Sequence, residues 1–208
     1  MSDNLVTEEQ QIEALKKWWK EYGLSIVVGV ALAIIVIFGW RFYQRHKTRV
    51  GQAASIVYTR MTVDMLNNQW QDALDQANLL RKDFARTPYA KIAGLTLAKH
   101  AILQHNLDEA VTQLHWVAKH ASSSIMKQLA NLRLARVYIE QNKMPQALKL
   151  LTRVKDSSLV GLVAEVKGDA YVKLGQRDQA RAMYQLALKE IPQADKSRPI
   201  LQMKLSDI

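Results

Sequence analysis

From Tyr22 to Trp40 the chain runs for 19 residues without a charged side chain, YGLSIVVGVALAIIVIFGW. As a helix rising about 1.5 Å per residue this measures roughly 28 Å, against a hydrocarbon core of about 30 Å. A buried helix of a soluble core would be shorter and interrupted by polar residues. Trp18, Trp19 and Tyr22 stand at one end, and Trp40, Phe42 and Tyr43 at the other. Amphipathic aromatics at both ends mark two headgroup interfaces. The segment reads as a transmembrane helix. It is longer than the apolar part of a signal peptide, follows Glu8, Glu9, Glu13 and Glu21, and ends in Gly39-Trp40-Arg41-Phe42 without a small-residue cleavage site. A retained, single-pass anchor is expected. The domains are then a short segment 1–21, the span 22–40, a juxtamembrane linker 41–50 and one domain over 51–208. Gly29 and Ala33 in the span form a small-xxx-small pair that would let another helix approach.

Orientation follows from the lysines and arginines flanking a span. Lys16, Lys17 and Lys20 precede it; Arg41, Arg45, Lys47, Arg49 and Arg60 follow it. Taken alone, this count favours a cytoplasmic C-terminal domain. From Gly51 onward there are 22 basic and 14 acidic residues, a balance of +8. The charges are scattered singly along the sequence, as at Lys91, Lys99, Lys119, Lys127, Arg133 and Arg136. Such dispersion describes a solvated face rather than a nucleic-acid site, which calls for a clustered patch or a recognisable module. The absence of cysteine excludes disulfides, zinc-thiolate sites and thiol nucleophiles.

Beyond the span apolar residues recur at helical spacing, broken by short polar stretches at 67–69, 104–106, 141–143 and 174–176. After each break comes one kind of step: Trp70-Gln-Asp-Ala73, Leu107-Asp-Glu-Ala110, Met144-Pro-Gln-Ala147 and Arg177-Asp-Gln-Ala180. The alanines are 37, 37 and 33 residues apart, a period that in helical pairs builds a solenoid. A small side chain where two helices cross lets their backbones approach. One turn on, Ala77, Leu114, Leu151 and Tyr184 share that face. The last unit follows the tetratricopeptide pattern at Gly168, Tyr171, Gly175, Tyr184, Ala187 and Pro192. The first unit, with Met61 and Asp64 at the corresponding places, is degenerate. The fold class expected is all-α: a transmembrane helix followed by a tetratricopeptide-like solenoid of helical hairpins.

In such a solenoid the first helix of each unit faces an inner groove. The groove positions are Ile92, Leu95, Lys99 and Ile102 in the second unit, and Leu129, Leu132, Arg136 and Ile139 in the third. The fourth supplies Leu162, Glu165, Asp169 and Val172. Aliphatic walls with a few charges suit an extended or helical peptide. An alternative is that the chain's own tail, Pro199–Ile208, covers this surface. Chemistry finds no foothold. His100/His105 and His115/His120 are five apart, which turns each pair off a common helical face and away from a shared metal. No glycine-rich phosphate loop occurs, and Ser122-Ser123-Ser124 reads as interhelical loop and cap. Neither catalysis nor a cofactor is expected.

Several segments together carry a resemblance. Gln11–Gly23 leads into the span, which closes on Gly39-Trp40-Arg41-Phe42-Tyr43. A degenerate tetratricopeptide domain follows, with Asn131-Leu-Arg-Leu-Ala-Arg-Val137 inside it and Gln202-Met-Lys-Leu205 near its end. In this order the chain resembles the YfgM family of gram-negative bacteria, ancillary subunits of the SecYEG translocon. The resemblance implies a bacterial inner-membrane protein with a cytoplasmic N-terminus and a periplasmic repeat domain. It implies the translocon, a membrane-anchored periplasmic chaperone of the prolyl-isomerase type and nascent exported chains as partners. The family's link to an envelope-stress response makes a regulator that sequesters a signalling protein the second expectation. On orientation the resemblance opposes the charge count, and its reach over the whole chain weighs more than a difference of two residues.

Overall fold

The computed structural model describes residues 8–208. Internal packing divides the chain into two units, residues 1–50 and 51–208. The first helix, α1 (Glu8–Leu66), contributes to both, and residues 41–50 are part of it.

In the first unit the apolar side chains of the uncharged run point outward, with Leu24 at 78% and Val36 at 69% exposure. A helix apolar all round with no protein against it needs an apolar solvent. Among the described residues α1 is the one helix long and apolar enough to cross a membrane, and it fits a membrane anchor. The ends of the uncharged run within α1 carry tilted aromatic pairs, Trp18 with Tyr22 and Trp40 with Tyr43.

The second unit begins with the end of α1 and continues through α2 (Trp70–Asp83), α3 (Pro88–Leu103), α4 (Leu107–His120), α5 (Ser124–Glu140) and α6 (Met144–Leu151). A 3-10 turn, Ser157–Leu159, leads into α7 (Val160–Lys173), α8 (Arg177–Glu190) and α9 (Arg198–Ser206). The second helices start at the four expected residues, Trp70, Leu107, Met144 and Arg177. Each hairpin turns through one residue at positive φ: Asn68 at 59°, His105 at 57°, Asn142 at 59° and Gly175 at 73°. The following amide donates back five residues, as Asn106 does to the Ala101 carbonyl at 2.8 Å and Gln176 to Tyr171 at 2.9 Å. This left-handed helix stop satisfies carbonyls that would otherwise be orphaned. One cap repeated four times is why the polar breaks recur in register.

Ala73, Ala110, Ala147 and Ala180 are all fully buried, as close helix crossing requires. A second pair of positions trades volume between units. Met61 shares a core cluster with Ala77, Ala98 with Leu114, and Ala135 with Leu151. In the last unit a methyl added at Gly168 would overlap the Tyr184 ring. As the second-helix residue grows from Ala to Leu to Tyr, the first-helix residue shrinks from Met to Ala to Gly. Close packing conserves the sum. The degenerate first unit is therefore the same joint filled from the other side.

Candidate functional site

The repeat register aligns α3, α5 and α7 so that equivalent residues form rows. Lys99, Arg136 and Asp169 make one row, and Ile102, Ile139 and Val172 another. Both rows line a groove of about 1090 Å³. Ile102 and Val172 stand on its rim at 39% and 40% exposure, while Ile139 at 3% is floor. Ile92 and Leu95 extend the apolar wall along α3. Leu129, Leu132 and Leu162 lie outside the lining, unlike the sequence expectation. Leu132 is buried with Leu159, Val163 and Val166, and Leu129 and Leu162 pack on the same cluster. The reason is that α5 and α7 pack directly against each other. An all-round apolar helix serves its neighbour with one face and the groove with another.

The tail closes one end of the groove and does not fill it. α9 buries Leu201 beside Tyr184, Ala187 and Ile191, and leaves Ile200 and Met203 exposed. Arg198 Nη1 donates to the carbonyls of Leu188 and Ile191 at 2.6 and 2.8 Å, which caps α8 with a cation. Of α9 only Lys204 reaches the groove. Its ammonium donates to Asp169 at 2.8 Å and to Glu165 at 3.0 Å. Arg136 holds the other Glu165 oxygen at 3.2 Å, and the Tyr184 hydroxyl donates to Asp169 at 2.8 Å. Burial pulls the Lys204 ammonium down, but the two carboxylates outweigh it and hold its pKa above the ordinary lysine value. Burial first, and then the bond and charge of Asp169, push the Tyr184 phenol well up. Glu165 and Asp169 are thus committed inside the protein, and along the remaining wall Lys99, Arg133 and Lys173 outnumber Glu140.

In the membrane segment Gly29 and Ala33 are both exposed, and nothing lies within 4 Å of a methyl placed on Gly29. Two of the spaced histidines have stacking partners. His100 stacks on Trp70 with centroids 3.4 Å apart, and His120 stacks on Trp116 and contacts its carbonyl at 2.9 Å.

Residues 16–208 match the family described as tetratricopeptide repeat-like domain. The chain belongs to that family. Its likeness to curated relatives covers nearly the whole chain. It is 28% identical to the ancillary SecYEG translocon subunit of Escherichia coli (strain K12), over 97% of this chain and 96% of the relative. The protein of that name from Haemophilus influenzae is 29% identical, covering 98% of each chain. The one from Neisseria gonorrhoeae is 27% identical, covering 97% of each. The recognition made from the sequence is borne out.

Two members of this tetratricopeptide repeat-like groove, Tyr184 and Lys204, escape a sequence reading as site residues. Tyr184 reads as helix-packing material, which it also is. Lys204 lies 35 residues from Asp169, and only folding joins them. The available signal was the Glu165/Asp169 pair, four apart on one helix face, beside a lysine in an otherwise apolar tail.

Proposed function

We propose that this chain is a non-catalytic, membrane-anchored ancillary subunit of the SecYEG translocon, whose repeat domain engages exported chains and a periplasmic prolyl-isomerase-type chaperone. The observation that carries the reading is likeness over almost the full length, anchor and repeats together, to relatives named for that complex. The groove supports it physically. Exposed Ile92, Ile102 and Val172 beside Lys99 and Arg133 offer spaced aliphatic sites to an extended or helical segment. Gly29 and Ala33 supply a flat strip on which a translocon helix can pack. Photocrosslinkers at Ile102 or Val172 should capture a translocation-arrested exported chain in intact cells. Capture at neither position, with the protein present at normal levels, refutes groove binding.

A periplasmic repeat domain and a cytoplasmic N-terminus belong to this reading. The five basic residues after the span, against three before it, favour the second reading, a regulator that sequesters a cytoplasmic signalling protein through its N-terminal 21 residues or through a cytoplasmic repeat domain. A C-terminal fusion to a phosphatase active only outside the cytoplasm decides which side the repeats face. Activity is expected; a silent but stable fusion overturns the translocon reading.

A further inference from the structure

A second concavity, of about 750 Å³, lies between α4, α5 and α6. It uses a stripe of α5 distinct from the groove: Lys127, Asn131, Leu134 and Tyr138 line it, whereas Arg133, Arg136 and Glu140 line the groove. Lys119 enters from α4, Lys149 and Arg153 from α6 and its end, and Lys155 from the loop that follows. Five cations meet there without one Asp or Glu in the lining. Folding thus gathers charges that are scattered along the sequence. Gln128 fixes the loop in place, its Oε1 accepting from the amides of Lys155 and Asp156. The Asp156 carboxylate turns to Ser158, accepting from its amide at 3.0 Å and its hydroxyl at 2.6 Å, and is not part of the lining. Asn131, only 8% exposed, faces this cleft, and no side-chain hydrogen bond ties it to any described residue. Its amide atoms keep contact with solvent, so a ligand in the cleft can reach them.

We infer that this cleft docks an acidic segment of a partner protein, carboxylates against the five cations and main chain against Asn131. Three features select a peptide over other anions. The site is concave, so a planar bilayer cannot lie along it. Its floor is apolar, from Ala118, Leu134 and Leu150, which an inorganic anion leaves unused and an aliphatic side chain between two carboxylates covers. Its donors come from three helices and a loop, which suits several carboxylates spaced along a chain better than one compact phosphate. The inference is independent of the groove and of what the groove binds.

The test uses the full chain in detergent micelles and a short fluorescein-labelled peptide of repeated Glu-Glu-Leu, read by fluorescence anisotropy. The same peptide with Gln for Glu is the control. The acidic peptide should bind at least about tenfold tighter than the control and weaken as salt is raised. The triple variant Lys127→Gln/Lys149→Gln/Arg153→Gln alters exposed side chains; it should keep its helical circular dichroism and lose that advantage. Asn131→Asp, which sets a carboxylate against the ligand, should also weaken binding, whereas Ile102→Asp in the groove should not. Equal binding of both peptides, or binding untouched by the triple variant, overturns the inference. So does complete competition by millimolar inorganic phosphate, or preferential binding of phosphatidylglycerol vesicles or single-stranded DNA that is lost in the same variant.

Discussion

Gly168 and Tyr184 show how a single position encodes a packing decision. Gly168→Ala should destabilise the repeat domain by about 1–3 kcal/mol, the usual range for overpacking a closed joint. Because the second and third units join Ala to Leu at this place, Gly168→Ala/Tyr184→Leu should recover part of the loss. Urea denaturation of the four members of the cycle measures that coupling. Purely additive losses would refute the volume trade. His105 sits at a φ of 57°, where glycine is free of strain and a side chain is not. His105→Gly should be neutral or stabilising by up to about 1 kcal/mol in thermal melts, against the usual penalty for glycine near helices. At the same scale, Lys204 and Tyr184 both hold their protons more tightly folded than unfolded. Their stabilisation is complete below the ordinary values of 10.5 and 10.0 and is lost as pH rises through the raised folded values. Lys91, which burial pulls down, works in the opposite sense. The informative quantity is therefore the difference between wild type and Lys204→Met, which should shrink above about pH 10. A constant difference would exclude the ion pairs as its source.

The legible parts of the elements are those written in local chemistry. Helix starts at Trp70, Leu107, Met144 and Arg177 could be read because each follows a helix stop and precedes a buried alanine by three residues. The inward rows through Lys99 and Ile102 could be read from the period. Leu129, Leu132 and Leu162 could not be placed, since α5 and α7 are apolar on several sides and only their mutual packing decides which face is spent on the core. Nor could the cationic cleft, whose members come from three helices and a loop and share no spacing in sequence. α9 illustrates the same limit: its apolar residues suggested a groove cover, yet Leu201 anchors it to α8. Leu201→Ala should cost about 2–5 kcal/mol, as for other fully buried leucines. It should also free the tail, read as faster amide exchange over 198–206 than over α5. Unchanged exchange would mean that the arginine caps, not Leu201, hold the tail.

At the scale of the molecule, a charge-free run too apolar for water and a solenoid with an open groove occupy one chain. The membrane segment was legible because the bilayer imposes length and composition directly. Which side the repeats face was not, because large domains cross with little regard to flanking charge. The account stands or falls on association with the translocon through that segment. The direct measurement is affinity purification of the intact chain from detergent-solubilised membranes, followed by quantitation of the translocon subunits. They should co-elute with the full chain and be lost when residues 22–40 are replaced by an unrelated transmembrane segment of equal length. A solubilised, folded chain that elutes without them, or holds them equally through the unrelated span, contradicts the account.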